Sequence, residues 1–470
     1  MKVLTKISYS AALIALPALS QAEKPNFVFM LVDDLGWKDF QCYGSDYHLT
    51  PAIDSLASDG VLFTDAYATC TVSSPSRASL MTGKYPAKLH LTDWIEGWKM
   101  PDAKLLVPDW TMYLPTEETS LADVFKRAGY KTAHIGKWHL GETSEYWPEH
   151  QGFDINIGGW AKGSPYKNKQ LGYNGYFTPY GNPRMKDGPE GEYLTERLAT
   201  EACNYIQSST SAQPFYLNLW FYNVHTPLMA KKDKTDKYNA LVDQSKLQQN
   251  PVYAAMVEHV DDAVRKVVQT LKDKGIYDNT IIILTSDNGG LIGRGAKKIT
   301  NNTPLRSGKG DMYEGGVRIP FIFKNINQAE KGSVNHSIVT FVDVMPTISD
   351  MMNLPVAKSE KIGFDGVSLK PVLSGKTKQL KRKDVYWHYP HYHIEGASPY
   401  SAIRDGNWKL IHIYETNKYE LYNLKDDIGE TNDIASQYPK KVKELDKKLN
   451  KWIKKMDAQM PIPNPNYKGL

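Results

Sequence analysis

The sequence predicts an α/β fold, in which a sheet of buried strands is covered by helices. Residues 26–32 (NFVFMLV) and 280–285 (TIIILT) are continuous apolar runs, which is typical of central parallel strands covered on both faces. Helical patterns lie between such runs, at residues 121–128 and at 253–271, where the apolar positions form one stripe. Strands that alternate with helices favour a sheet whose ligands bind beyond the carboxyl ends of its strands.

Length and composition are consistent with roughly three domains, or with one large domain and a smaller companion. The chain has 470 residues, of which 41% are hydrophobic and 23% are charged, so a sizeable core is predicted and wholesale disorder is excluded. The formal net charge is +5, and two of these charges belong to Lys2 and Lys6, which leaves +3 from residue 23 onward. This balance excludes nucleic acid and anionic membranes as the main partner.

The first 22 residues are predicted to be an export signal. Lys2 and Lys6 precede a small and apolar stretch at residues 11–19, and Ser20-Gln21-Ala22 carries small residues at the positions that signal peptidase reads. A buried N-terminal helix is the weaker alternative because Pro17 would interrupt it. No later stretch approaches the roughly 18 apolar residues of a membrane span, and the residue directly after the cleavage site is Glu23 and not a cysteine that could carry a lipid. We therefore expect a periplasmic or secreted protein without a membrane anchor.

A C-terminal subdomain is predicted for residues 381–470, after a larger domain at residues 23–380. The two are separated by a lysine-rich stretch near residues 370–383, which is expected to be a linker. Residues 439–456 predict a closing helix with one apolar stripe, and its eight lysines are expected to form its solvated face. Short segments of alternating hydrophobicity predict antiparallel strands at residues 400–404, 408–414 and 419–423.

Oxygen-bearing side chains follow the two clearest strands. Asp33 and Asp34 come directly after the first, and Asp287 and Asn288 come after the second. Each cluster alone is equally well explained by turn formation. Because both follow buried strands, their convergence predicts a site for Ca²⁺ or Mg²⁺, which prefer oxygen ligands. The pair at residues 261–262 is instead predicted to lie on the exposed side of its helix.

The most informative stretch is residues 73–84, SSPSRASLMTGK. It resembles the signature of the type I sulfatases, a family of the alkaline phosphatase superfamily. That signature begins with Cys or Ser, has Pro two and Arg four positions later, and continues into Thr-Gly. Here Ser73, Pro75 and Arg77 are in register, and Thr82-Gly83 follows them.

Other segments resemble the same family in the family's own order, so that the likeness covers nearly the whole mature chain. These segments are IGKWHLG at 135–141, HTP at 225–227, and GKG at 308–310 leading into YEGGVRIP at 313–320. The resemblance implies a large mixed, mainly parallel sheet sandwiched by helices, with a small C-terminal subdomain of antiparallel strands and a helix. It also implies a calcium site, with magnesium as the alternative, whose ligands would be Asp33, Asp34, Ser73, Asp287 and Asn288.

The resemblance further implies that Ser73 is oxidised to formylglycine (3-oxoalanine). The hydrate of this aldehyde carries two hydroxyls on one carbon, so that loss of a proton from the second expels sulfate and restores the aldehyde. An ordinary serine could take the sulfuryl group but would have no easy way to release it. Family precedent for serine at this position implies oxidation by an anaerobic-type, radical-based maturating enzyme in the cytoplasm before export.

Further catalytic roles are carried over residue by residue. Arg77 would hold the formylglycine, while Lys137 and Lys309 would balance charge on the transferring group. His139 would remove the proton that triggers sulfate release. His225 would protonate the departing sugar oxygen.

The expected substrate is a sulfated polysaccharide, either a glycosaminoglycan such as chondroitin or dermatan sulfate or an algal galactan such as carrageenan. Residues 146–180 are rich in Gly, Pro and aromatic residues, which suit the faces of sugar rings. The run WHYPHYH at 387–393 is expected to reach the same pocket. The predicted sugar-binding residues are His90, Asp93, Trp94, His388, His391 and His393.

Two other classes of function stay open at this point. The superfamily also contains phosphomonoesterases, phosphodiesterases and phosphonate monoester hydrolases. Outside the enzymes, the protein could be a sulfated-glycan binder in which Ser73 is never oxidised. The presence of Lys137, His139 and Lys309 counts against this binder, because binding alone does not need a set of proton-transfer residues.

Overall fold

The fold is seen in a computed structural model that describes residues 24–210, 212–295, 297–326 and 331–469. The predicted export signal at residues 1–22 therefore lies outside the described residues. Within the described part of the chain, no helix has both the length and the apolar character that crossing a bilayer requires.

The central sheet has nine strands in the described residues. Strand β1 is buried along its whole length, as its apolar sequence predicts. The strands are β1 Asn26–Val32, β2 Val61–Tyr67, β3 Lys131–Gly136, β4 Ile155–Ile157, β5 Phe215–Trp220, β6 Thr280–Ser286, β7 Arg318–Lys324, β8 Ser333–Asn335 and β9 Val339–Thr340.

The sheet is mixed and mainly parallel, as predicted. Its order is β8-β2-β7-β6-β1-β5-β3-β4, and β9 also pairs with β2. Strand β7 runs antiparallel to both of its neighbours, whereas the other pairs are parallel. β1 and β6 are parallel neighbours with Val32 opposite Ser286, so the residues that follow both strands emerge side by side.

Helices cover both faces of this sheet. Alternate side chains of β1 enter different cores, because successive residues of a strand point to opposite faces. The longer helices are α1 Pro51–Ser58, α2 Ser73–Thr82, α3 Leu121–Arg127, α4 Leu194–Ser208, α5 Lys232–Ala240, α6 Pro251–Asp273, α7 Val344–Met351 and α8 Pro439–Lys455. Val28 and Met30 pack with α4 and α6, while Phe27 and Phe29 pack with α2, α3 and α7.

Short elements complete the described residues. The short helices are Gln41–Tyr43, Pro86–Leu89, Ser144–Tyr146, Pro148–His150, Glu314–Val317, Phe341–Asp343, Lys358–Gly363 and Lys370–Leu373. Three two-stranded pairs join Leu105–Leu106 to Ile462–Pro463, Lys167–Asn168 to Tyr173–Asn174, and Gly293–Arg294 to Lys297–Lys298. The expected linker therefore begins with the helix Lys370–Leu373, in which Val372 and Leu373 are buried.

A second sheet forms the predicted C-terminal subdomain. Its antiparallel strands follow chain order and are β10 Asp384–Tyr389, β11 Tyr400–Asp405, β12 Trp408–Ile413 and β13 Lys418–Asn423. The apolar stripe of α8 packs against this sheet, with Leu445, Leu449 and Trp452 in one core with Ile403 and Leu410. The domain boundary between residues 380 and 381 stays a prediction.

A buried ionic network joins the C-terminal sheet to the larger domain. The Lys409 ammonium in β12 lies 3.0 Å from a Glu314 carboxylate oxygen and 2.8 Å from one of Glu430. The other Glu314 oxygen accepts a hydrogen bond from Arg318 at 2.8 Å. All four side chains are buried, so these ion pairs are shielded from solvent.

The prediction that the acidic pair at residues 261–262 is exposed was wrong for Asp261. This side chain is fully buried, accepts a hydrogen bond from the Ile53 backbone at 2.9 Å and pairs with Arg265 at 2.7 Å. It therefore ties α1 to α6. The helical period did not indicate this, because the position faces a neighbouring helix and not solvent.

Candidate active site

Acidic side chains converge at the carboxyl ends of β1 and β6. Asp33 and Asp34 follow β1, Asp287 and Asn288 follow β6, and the parallel register brings them together. Carboxylate oxygens of Asp33, Asp34 and Asp287 all lie within 4.8 Å of one another. The structure therefore places the predicted acidic clusters at one edge of the sheet.

Helix α2 brings Ser73 to the same edge. The Ser73 hydroxyl oxygen lies 3.3 Å from Asp33 Oδ1 and 3.4 Å from Asn288 Oδ1. Ser73 is the first residue of the helix, and all ten residues of α2 are buried. The positive end of the helix dipole thus faces the acidic cluster, which suits an anion beside Ser73.

Three basic side chains contact the carboxylates. Lys137, which follows β3, donates to both oxygens of Asp33 at 2.8 Å and to the Ser73 hydroxyl at 3.2 Å. Arg77 lies one helical turn after Ser73 and donates to Asp287 at 2.8 and 3.0 Å. Lys309 donates to Asp34 at 2.6 Å. The formal charges of these carboxylates and cations balance.

Burial and neighbouring cations act in opposite directions on the pKa values of these carboxylates. At Asp33 the effect of burial is larger than that of the Lys137 ammonium, so the pKa of Asp33 lies well above its usual value. Burial would also raise the pKa of Asp34, but Lys309 and His225 offset this and lower it. Carboxylates crowded in a buried site are stabilised by an added cation.

The donor set fits a hard divalent cation. Carboxylate oxygens of Asp33, Asp34 and Asp287, the amide oxygen of Asn288 and the oxygen of residue 73 are ligands that Ca²⁺ and Mg²⁺ prefer, and no thiol belongs to the set. These residues would hold the ion, which would lower the pKa of a nucleophilic hydroxyl and neutralise anionic oxygens.

The two predicted histidines both lie in the wall of the cavity beside this cluster. His225 Nε2 is 3.5 Å from Asp34 Oδ2, and burial together with Lys309 lowers the pKa of His225 to about 3. His139 Nε2 lies 3.4 Å from the Ile95 carbonyl oxygen, while Nδ1 has no partner in the described residues. Burial and Lys137 hold the pKa of His139 well below its usual value, so the neutral ring can accept a proton at Nδ1.

Unusual backbone geometry accompanies these residues. Asp34 has φ 59° and His139 has φ 61°, in the left-handed region that non-glycine residues rarely occupy. Such strain costs about 1–3 kcal/mol per residue and tends to gather at functional sites. At Gly136 (φ 108°) a Cβ would lie 1.9 Å from the Trp220 carbonyl oxygen, so glycine lets β3 end close to β5 just before Lys137.

A cavity of about 290 Å³ opens onto this cluster. Ser73, Lys137, His139, His225 and Lys309 lie in its wall. Of the predicted sugar-binding residues, Trp94 and His393 also line it. His393 comes close because residue 310 is glycine, where a Cβ would lie 1.9 Å from His393 Nδ1.

The prediction that His90, Asp93, His388 and His391 line this cavity was wrong. His90 contacts the Asp457 carbonyl at 2.9 Å, and buried Asp93 accepts a hydrogen bond from the Tyr389 hydroxyl at 2.7 Å. His388 contacts Ser401 at 2.6 Å, because strand alternation turns its side chain away from the cavity. His391 packs 4.7 Å from Trp110 and contacts Thr92 at 2.8 Å.

Loop residues outside the recognised motifs complete the cavity. The aromatic stretch at 146–180 contributes Lys162, Gly163 and Ser164 and not its aromatic rings. Lys162 forms an ion pair with Glu96 at the wall, and Glu395 lies nearby. Charged residues in loops are usually solvated, so the sequence gives little reason to place these residues in the cavity wall. The one indication is that Glu96 lies two residues after Trp94.

Two protein-family profiles match the chain. A profile described as "Sulfatase" matches residues 25–354, and one described as "N-sulphoglucosamine sulphohydrolase, C-terminal" matches residues 308–459. The first covers all nine described strands of the central sheet and contains the acidic cluster, Ser73 and Lys309.

Individual proteins are similar over most of the chain. A "Sulfatase" from Formosa agariphila is 30% identical, covering 98% of this chain and 96% of that protein. N-acetylgalactosamine-6-sulfatase from Homo sapiens is 29% identical, covering 75% of this chain and 66% of that protein. The crystal structure of Ps i-CgsB in complex with k-i-k-neocarrahexaose has a TM-score of 0.77 and 30% identity, and covers 94% of both chains.

Proposed function

The chain belongs to the sulfatase family, and we propose that it removes O-sulfate groups from a sulfated polysaccharide or its oligosaccharides, with oxidised Ser73 as nucleophile. The observation that carries the proposal is the position of Ser73. Its hydroxyl lies at the start of a buried helix, within 3.4 Å of Asp33, Lys137 and Asn288. The family match makes the chain a sulfatase. The oxidation of Ser73 and the identity of the substrate are proposals.

Formylglycine at residue 73 would supply a hydrated aldehyde, whose second hydroxyl allows sulfate to leave. The residues around it have separable tasks. Arg77 donates to Asp287 and to Asp33 and keeps both carboxylates in place. Lys137 and Lys309 stabilise negative charge on the sulfuryl oxygens, because their ammonium groups line the cavity beside Ser73.

Proton transfer is assigned to the histidines. Neutral His139 accepts a proton at Nδ1, while its Nε2–H is held toward the Ile95 carbonyl. His225 lies in the cavity wall beside Thr226 and Lys309. Its lowered pKa keeps the free ring neutral, so in this proposal it takes up a proton when the anionic sulfate group binds beside it and delivers that proton to the departing sugar oxygen. The two rings act in different steps, one on the release of sulfate and the other on the leaving group.

A galactan of the carrageenan type is the favoured substrate. The supporting observation is the likeness over 94% of both chains to a structure that holds a carrageenan oligosaccharide. A glycosaminoglycan is the second candidate, because an N-acetylgalactosamine-6-sulfatase is 29% identical over 75% of this chain. We propose that the enzyme meets such polymers in the periplasm or outside the cell, after residues 1–22 are removed and residue 73 has been oxidised in the cytoplasm by an anaerobic-type maturating enzyme.

Turnover of two small esters tests the proposed reaction. We expect nitrophenyl sulfate to be hydrolysed faster than nitrophenyl phosphate, because the chain belongs to the sulfatase family. Initial rates of nitrophenol release at equal substrate concentration give the comparison. Mass spectrometry of the peptide containing residue 73 should show the loss of two hydrogens in the active preparation.

The same experiment decides the alternatives. A phosphate preference of several orders of magnitude would assign the chain a phosphoester or phosphonate ester reaction. Unmodified Ser73, together with absent turnover after expression with a maturating enzyme, would support the glycan binder. Chelation followed by addition of Ca²⁺ or Mg²⁺ identifies the ion that restores the rate.

Trp94→Ala is expected to raise KM for a sulfated oligosaccharide about tenfold, since a partly buried aromatic ring contributes on the order of 1.4 kcal/mol of contact. KM for nitrophenyl sulfate should change much less, because Trp94 lies in the cavity wall and is proposed to contact a sugar ring that the small ester lacks. Steady-state kinetics with both substrates measure the difference. The matched control is Trp98→Ala, in the same loop but packed with Leu105 and Tyr392 away from the cavity. Equal effects of the two substitutions on KM for the oligosaccharide would show that Trp94 does not bind the sugar.

A further inference from the structure

A second cavity lies on the C-terminal subdomain, away from the active site. It has a volume of about 440 Å³ and shares no lining residue with the active-site cavity. We call it the basic groove and define it by Lys448, Lys451 and Lys455 of α8, together with Arg382 and Tyr386. Neither the sulfatase signature nor the catalytic cluster involves these residues.

The charges of the basic groove are only partly neutralised. Arg382 is paired with Asp343 at 2.6 Å, and Lys448 is paired with Asp405. The ammonium groups of Lys451 and Lys455, in contrast, have no carboxylate within 4.0 Å among the described residues, and both side chains are exposed.

The acidic residues of the wall already have donors of their own. Asp365 accepts hydrogen bonds from the Tyr85 backbone at 3.0 Å and from Lys88 at 3.1 Å. Asp384 accepts one from the Tyr386 hydroxyl at 2.6 Å, a neutral donor, so its negative charge remains in the groove. Lys451 and Lys455 together exceed this single charge, and the groove therefore presents a net positive charge to solvent.

The shape of the groove selects among anionic partners. Lys448, Lys451 and Lys455 follow one another along a single face of α8, so the row extends over about 10 Å at 1.5 Å per residue. Tyr386 lies beside this row, stacked on Trp452 at 4.9 Å, and is half-buried. A concave row of cations with an aromatic wall fits a linear polyanion better than a flat membrane surface.

We propose that the basic groove binds a second segment of the sulfated polysaccharide on which the active site acts. The inference rests on the proposed function for the identity of the polymer. Tyr386 lies in the groove and His393 in the active-site cavity, and seven residues of extended chain span at most about 25 Å. The two sites are therefore separated by no more than the length of a short oligosaccharide chain, and in this proposal one polysaccharide occupies both, so that binding in the groove raises its local concentration at the catalytic cluster.

The sequence predicted that the lysines of α8 form a solvated face, and the helix offers an internal control. Lys443 and Lys447 are exposed and do not line the groove, but they have the same four-residue spacing as Lys451 and Lys455. The test variant is therefore K451Q/K455Q and the control variant is K443Q/K447Q. Both remove two positive charges from one helix.

Native gel electrophoresis in the presence of iota-carrageenan or chondroitin sulfate measures binding without catalysis. One of the two polymers should retard the wild-type protein in the gel. We expect K451Q/K455Q to bind that polymer about five- to tenfold more weakly than the wild-type protein does, and K443Q/K447Q to bind it equally well. For whichever polymer the enzyme desulfates, kcat/KM of K451Q/K455Q should be lower than that of the wild type by the same factor. Its kcat/KM for nitrophenyl sulfate should be unchanged.

Three results would contradict the proposal that the basic groove binds the polysaccharide. Equal weakening by both variants would indicate diffuse charge attraction, and unchanged binding by K451Q/K455Q would show that the groove is not used. Binding to phosphatidylserine vesicles that K451Q/K455Q abolishes, with no retardation by either polysaccharide, would assign the groove to a membrane. Failure of the proposed function is recognised separately, because the wild-type enzyme would then not hydrolyse nitrophenyl sulfate.

Discussion

Ser73→Ala is expected to lower kcat/KM for sulfate esters by at least about 1,000-fold, because removal of a covalent nucleophile leaves only binding and electrostatic stabilisation. Ser73 is the hydroxyl residue that contacts both Asp33 and Lys137. The fold should be preserved, since alanine is compatible with the first turn of α2. Initial rates with nitrophenyl sulfate measure the loss, and the thermal unfolding midpoint reports on the fold.

Ser79→Ala is the matched control for this substitution. Ser79 lies in the same helix and is fully buried, and its hydroxyl has no hydrogen-bond partner among the described residues. Its loss should therefore leave turnover almost unchanged. Comparable inactivation by both substitutions would show that α2 tolerates no change, and retained activity in Ser73→Ala would remove residue 73 from the reaction.

Lys409→Met is expected to lower the free energy of unfolding by about 3–5 kcal/mol, because it leaves buried carboxylates without their cation. Glu314 retains Arg318, so most of the loss should arise at Glu430. Urea unfolding followed by tryptophan fluorescence measures the change. The double variant Lys409→Met with Glu430→Gln should recover part of the stability, since it removes one of the uncompensated charges.

An exposed ion pair provides the comparison for Lys409. Lys232 pairs with Asp236 on the surface of α5, and 87% of the Lys232 side chain is exposed. Lys232→Met should change the free energy of unfolding by less than about 0.5 kcal/mol. If Lys409→Met were equally mild, the buried network would not be what holds the C-terminal sheet to the larger domain.

Much of the fold and of the catalytic cluster could be predicted from local sequence. Continuous apolar runs identified β1 and β6, and parallel pairing then required the acidic residues that follow them to meet. Ser73 and Arg77 are one turn apart in α2, so one short motif determines their relative position. Such features depend on neighbours in the chain, and sequence patterns report them well.

The sugar side of the site depends on contacts between distant segments, and here prediction was weaker. His388 and His393 belong to the same aromatic run, yet His388 lies within β10 and faces Ser401, while His393 lies beyond the strand and reaches the cavity. Lys162 and Glu96 are 66 residues apart and meet at the cavity wall. No local pattern gives the path of the loops that bring them together.

The burial of α2 has a consequence for the order of events in the cell. Ser73 is 3% exposed, and the helix that it begins is covered along its whole length. If Ser73 is oxidised as proposed, a second protein has to reach this side chain, and its burial in the folded chain restricts that access. The oxidation would therefore take place on the nascent or unfolded chain, before folding encloses the serine. Protein that folds with an intact serine would stay unconverted until it unfolds again.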